Sequence, residues 1–172
     1  LIRLFGELGI ETVASDMSFS VKAPAGPGRA ELEWSGTDLD SLFAQRSNLL
    51  RPGFWRMLRD LARFNRLCTA LAERNAEGEL VQPIGDFLDQ HRFSNDFREG
   101  YFLPMIACIW SCPQEQMLDF PVATLIRFCH NHGLLQVENR PAWRTVSGGS
   151  RHYVDAIVAQ LPDARASTAV LG

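Results

Sequence analysis

The stretch RPGFWRMLRDLARFNRLCTALAER, residues 51–74, constrains the fold more than any other part of the sequence. Pro52 falls in the first turn, where a missing N–H and a fixed φ suit a helix start. Phe54, Leu58, Leu61, Cys68 and Leu71 then recur at helical spacing. A helix this long with one apolar face must bury that face against other elements. Further helical runs can supply them: 83–91, 94–111, 113–120 and 121–133. Ser94 is placed to cap the second of these, and Pro104 within it predicts a kink or break. Prolines open the last two, and Gly133 ends the final one.

The flanks add a little sheet. Residues 1–9 read as a helix closed by Gly9, and 11–23 as a strand. PAGPG (24–28) is a turn cluster. In 29–36, Leu32 and Trp34 alternate with Glu31 and Glu33, so a second strand pairs back as a hairpin. A short helix over 37–45 has Thr37 or Asp38 as its cap. Residues 134–137 and 143–146 are strand candidates, and 150–161 form the last helix. The fold class is therefore α+β, predominantly helical, with a small β-hairpin near the N-terminus. The absence of βαβ alternation excludes a doubly wound sheet. The 172 residues are enough for a single domain with a real core.

Charge and hydropathy narrow the function classes. A formal net charge of −3 creates no field that would gather nucleic acid or an anionic membrane. No apolar run approaches the length of a membrane helix, and LIRLFGELGIETV has none of the parts of a secretory signal. Leu1, Leu4, Phe5 and Leu8 already lie at helical spacing, and ARASTAVLG reads as a turn entering a strand. Both ends thus read as interior to a longer protein. Cys68, Cys108, Cys112 and Cys129 lie in apolar, helix-like surroundings, the pattern of buried free thiols in a reducing, cytoplasmic compartment.

Four constellations carry chemistry. Cys108 and Cys112 stand i,i+4, followed by Cys129, His130 and His132. These are zinc-ligand types, but their spacing fits no standard site, and a histidine pair near a helix C-terminus has a structural role at the last carbonyls. No metal is expected. Arg56, Arg59, Arg63 and Arg66 share a helix face. That face reads either as solvated, with Asp60 and Glu73 nearby, or as a contact for an acidic partner or lipid head groups. No G-x-S-x-G nucleophile elbow occurs. In WRTVSGGSRHYVDAI (143–157), a glycine pair lies between a strand and a helix. Such a pair is a plain turn or a place where bare backbone and helix N–H groups approach a phosphate or flat ring. Ser150 is the candidate cap of that helix. The dinucleotide fingerprint G-x-G-x-x-G is absent.

Several stretches in order, LIRLFGELGIETVASDMSFSV, YFLPMIACIWSCP, FPVATLIRFCHNHGLL and WRTVSGGSRHYVDAI, resemble the middle of flavin-dependent oxidoreductases of the amine oxidase/phytoene desaturase type. The bacterial branch described as predicted NAD/FAD-binding proteins is the most similar. The resemblance runs over nearly the whole chain and implies the substrate-binding part of an FAD enzyme, inactive alone. The FAD domain would be built from sequence on both sides, with residues 143–172 returning toward it. It implies that Gly148, Gly149, Ser150 and Arg151 lie at the flavin. It also implies that Phe102, Met105, Trp110, His132 and Trp143 line or support a substrate cavity for an amine or an apolar, lipid-like molecule. Hydride transfer to the flavin would be the reaction, and no catalytic residue stands out. The rival class is a stand-alone helical binding module using the arginine face, and a peripheral membrane contact is the partner left open.

Overall fold

The computed structural model describes residues 1–26, 30–76, 80–136, 141–165 and 167–169, without the side chains of Leu39, Gln114 and Glu115. The chain begins with α1 (Ile2–Glu7), β1 (Thr12–Ala14), β2 (Ser20–Ala23), β3 (Leu32–Ser35) and α2 (Leu39–Leu42). A 3-10 segment, Arg46–Leu50, leads into α3 (Pro52–Glu73). Next come α4 (Ile84–Gln90), α5 (Asn95–Phe97), a π-helical stretch Arg98–Phe102 and α6 (Leu103–Trp110). The chain closes with α7 (Gln114–Met117), α8 (Val122–Asn131), β4 (Arg144–Val146) and α9 (Arg151–Val158). The class is α+β, as the periodicities predict. The single domain expected divides into two compact units: Ser18–Pro141, and Leu1–Met17 with Ala142–Gly172.

The larger unit is organised by α3. Its buried line is Phe54, Met57, Asp60, Phe64, Cys68 and Ala72. Leu58, Leu61 and Leu71, expected to lead the apolar face, flank that line half-buried. Phe64 sits among Phe93, Phe97 and Phe102, with ring centroids 5.7, 5.6 and 5.2 Å away. Ile84, Phe87 and Leu88 of α4 and Val122, Leu125 and Ile126 of α8 complete this core. A second cluster joins Val21 and Trp34 of the hairpin to Phe54 and Met57.

The expected strand 11–23 is two strands in different sheets. β2 pairs antiparallel with β3, Val21 opposite Trp34, whereas β1 pairs with β4. Leu134 and Leu135 lie in the turn after α8 and not in a strand; Val137 is outside the described residues. The described part of the C-terminal tail, expected to enter a strand, contains none. The short helix α2 is capped as expected at Asp38, whose Oδ1 accepts the Ser41 N–H at 2.7 Å. Ser94 Oγ likewise accepts the Phe97 N–H.

Pro104 does not break its helix. The preceding turn widens, so that the Leu103 N–H donates to the Arg98 carbonyl five residues back. Proline has no N–H, so the carbonyl four residues earlier, that of Gly100, loses its α-helical donor. The indole Nε1 of Trp34 donates to that carbonyl at 3.2 Å in a buried setting. The approach depends on Gly100 itself: a Cβ there would lie 2.9 Å from the Met57 sulfur and 3.3 Å from Leu32 Cδ2. Hairpin, α3 and the π stretch are thus pinned at one point. Trp34→Phe is expected to cost about 2 kcal/mol by leaving the carbonyl unpaired. Urea unfolding measures it, and a loss under about half that would show the bond to be unimportant.

Candidate functional site

The glycine pair lies in the smaller unit. β1 and β4 pair with Thr12 opposite Val146, and the ladder is extended by Ser15 N–H to the Trp143 carbonyl (2.9 Å) and Ser147 N–H to the Glu11 carbonyl (3.0 Å). Arg144 Nε donates to Thr12 Oγ1 at 2.8 Å. The chain then reverses through Gly148 (φ +76°) and Gly149 (φ +96°), both in the left-handed region that favours glycine. The two differ in what faces them. The His152 ring fills the space above Gly148, its Nε2 2.5 Å from where a Cβ would stand, while none of the described residues lies within 4 Å of that position on Gly149. Ser150 stands at the N-cap of α9, but its hydroxyl makes no capping bond, contrary to expectation. Arg151 is almost fully exposed, 3.7 Å from Asp155. Trp143 is half-buried beside β4.

Neither α1 nor α9 has a buried residue. Val154, Val158 and Leu161 recur along one side of the C-terminal helix and its exit, each about half exposed, and Leu1, Ile2, Leu4, Val13 and Met17 are exposed as well. Within residues 11–36, Val13 and Met17 are exposed, whereas Val21 and Trp34 of the β2–β3 hairpin are buried.

The other four predicted cavity residues are in the larger unit. Phe102 is wholly buried against Phe64 and Phe97, and Met105 is buried in the same core. Trp110 and His132 meet through Phe128: the Trp110 and Phe128 centroids are 4.7 Å apart, and His132 stacks on Phe128 at 4.0 Å. His132 Nδ1 lies 2.8 Å from the Phe128 carbonyl, the helix-terminal role open to it. Phe120 closes the group at 5.2 Å from Trp110, and all four rings are half-buried. A cavity of about 360 Å³ lies elsewhere in this unit, between the hairpin and the start of α3. Leu32, Phe54 and Met57 form its apolar lining, and Arg51 and Asp96 are its charged groups. None of the predicted cavity residues lines it, and no sequence motif marks it.

The cysteines separate. Cys129 is buried near Cys68, and burial pushes its thiol up to about 12. Burial, and then Cys129, raise Cys68 further still. Cys108, expected to be buried, is exposed, and Cys112 is half-buried. Helix α6 ends at Trp110 and Ser111 is left-handed, so Cys108 and Cys112 do not share a helix face. No three metal-ligating side chains gather among the described residues.

Asp60, expected on a solvated face with the arginines, is buried in the core line of α3. Its Oδ2 accepts the Ser94 N–H at 3.0 Å. Its Oδ1 accepts no hydrogen bond among the described residues; Arg63 and Arg59 stand 3.8 and 3.9 Å from it. Burial pushes its carboxyl up, but hydrogen bonding from Ser94 and the charges of Arg63 and Arg59 outweigh that and hold it below the ordinary carboxylate value. Arg63 also donates to the His91 and Arg92 carbonyls and lies over the Phe93 ring. It is a structural residue, as is Arg56, paired with Asp96 at 3.2 Å.

No described helix is long and apolar enough to cross a membrane. No protein-family model matches the chain, and no curated protein matches it.

Proposed function

We propose that the chain is the substrate-binding part of an FAD-dependent oxidoreductase. The observation that carries this reading is the nested organisation: residues 18–141 form one compact unit, spliced in sequence between two segments that pair through β1 and β4. A substrate domain inserted into a cofactor domain has this arrangement. The outer unit has the surface of an element waiting for neighbours, since its two helices bury no residue and expose apolar side chains on both.

The turn after β4 suits a close approach to a flat or anionic group at Gly149, Ser150 and Arg151. Gly149 presents bare backbone, α9 supplies N-terminal donors that Ser150 leaves uncapped, and Arg151 adds an exposed positive charge. Gly148 shapes the turn instead, since His152 covers it. When bound, the flavin accepts a hydride from an amine or apolar, lipid-like substrate. Of the residues assigned to the cavity, Trp110 and His132 offer a half-exposed aromatic surface, with Phe102 and Met105 supporting it from the core.

The test is the visible absorption spectrum of the purified natural protein containing this chain. A flavin spectrum is expected. It should survive Gly149→Ala, which carries the backbone strain of φ +96° alone, better than Gly149→Trp, which also closes the open face. A colourless protein that takes up no added FAD would overturn the reading.

A further inference from the structure

We propose that the N-terminal end of α3, with the 3-10 segment before it, docks on an anionic lipid bilayer. Among the described residues of the larger unit, most of the exposed large apolar side chains lie here. Leu50 is 87% exposed, Leu49 45% and Trp55 50%. Trp55 is tied to this segment: its Nε1 donates to the Leu49 carbonyl at 2.9 Å, the Phe43 ring packs 5.7 Å from it, and Leu50 follows Leu49 directly in the chain. That hydrogen bond matters for the occupant. The indole N–H is already satisfied, so its apolar face can leave water without stranding a donor.

Charge complementarity names the surface. Residues 41–66 contain six arginines and one acidic residue, Asp60, in a protein whose formal net charge is −3. Asp60 is buried, and Asp96 and Asp40 from outside this stretch pair with Arg56 and Arg46, so Arg59 and Arg66 contribute most of the positive charge of the outer face. Trp55, Arg59, Ala62 and Arg66 are all exposed at spacings of four, three and four, a single stripe running back from the apolar tip. Among the described residues Arg59 reaches the buried Asp60, at 3.9 Å, and Arg66 donates to the Ala62 carbonyl of its own helix. Arg46 at the tip is paired with Asp40 and is the weaker contributor. Leucines and tryptophan at one end, with arginines on the same face, match an element lying in the interfacial plane. The apolar tip enters the acyl boundary and the guanidiniums meet lipid phosphates. A soluble acidic partner would use the arginines and leave Leu50 without a role.

The experiment is co-sedimentation of the full chain with vesicles of phosphatidylcholine and phosphatidylglycerol in equal parts, beside pure phosphatidylcholine vesicles. Binding to the mixed vesicles is expected, with little to the neutral ones. Leu50→Asp should weaken it at least ~tenfold, and Arg66→Ala by about fivefold. Both side chains are exposed, so thermal melting of either variant should match the parent. No binding to the mixed vesicles overturns the proposal. So does binding that Leu50→Asp leaves unchanged, which would point to an acidic protein or polyanion held by the arginines alone.

Discussion

Phe64→Ala is expected to lower the free energy of unfolding by about 4 kcal/mol, the largest loss from any single truncation considered for this chain. Phe64 is 2% exposed at the middle of α3. Its three ring neighbours belong to different pieces of backbone: Phe93 to the loop before α5, Phe97 to α5, and Phe102 to the π stretch. Phe93 and Phe97 also contact each other, as do Phe97 and Phe102. The site therefore collapses poorly when the ring is removed, and a residual cavity adds to the lost transfer energy. Arg63 over Phe93 further restricts the inward movement of that ring. Leu58→Ala, at a half-buried position on the same helix, should cost less than half as much. Urea denaturation at constant slope is the measurement. A loss for Phe64 no larger than that for Leu58 would show that the four rings do not act as the centre of the core.

What could be read from the sequence follows from how local each cause is. The bounds of α3, the Asp38 and Ser94 caps and the turn at Gly133 depend on neighbours within a few residues, and the residues alone reveal them. The split of 11–23 into β1 and β2 could not be read this way. Its cause is that β1 finds its partner at Arg144–Val146, more than a hundred residues away. Pro104 announces a disturbance without fixing its form. A kink or break was expected because the lost hydrogen bond is visible in sequence; the helix instead continues through the π stretch, and the indole that replaces the bond comes from Trp34, in the hairpin. The apolar face of α3 was legible only in direction. Its true centre runs through Asp60, which composition rules assign to water. For the site, the glycine pair was marked by type and spacing, while the difference between the covered Gly148 and the open Gly149 arises from where the His152 ring falls. The exposed patch at Leu49, Leu50 and Trp55 lies next to buried Asn48 and Phe54, and no periodicity separates the two groups.

Asp60→Ala is expected to cost about 3 kcal/mol at neutral pH, although the aspartate stands in an otherwise apolar buried line. Truncation leaves the Ser94 N–H without its acceptor and Arg59 and Arg63 without their shared counter-charge. Ser94 caps α5, which leads directly into the π stretch, so the loss should also loosen the helix that carries Gly100. Asp60→Asn separates the two effects, because an amide oxygen can still accept from Ser94 while the charge is gone. It should cost less than alanine at neutral pH. The pH dependence has a definite sign. The folded-state carboxyl is held below its ordinary value of 3.8, so its ionised form is favoured by folding. The stabilisation is complete above that value and is lost as pH falls through the lower folded-state value. The parent and Asp60→Asn should therefore converge in stability under acid conditions and reach their full difference by about pH 5. Chemical denaturation of the two proteins across that range measures the gap. A gap that stays constant with pH would mean that the carboxylate charge contributes nothing and that Asp60 acts only as a neutral acceptor for Ser94.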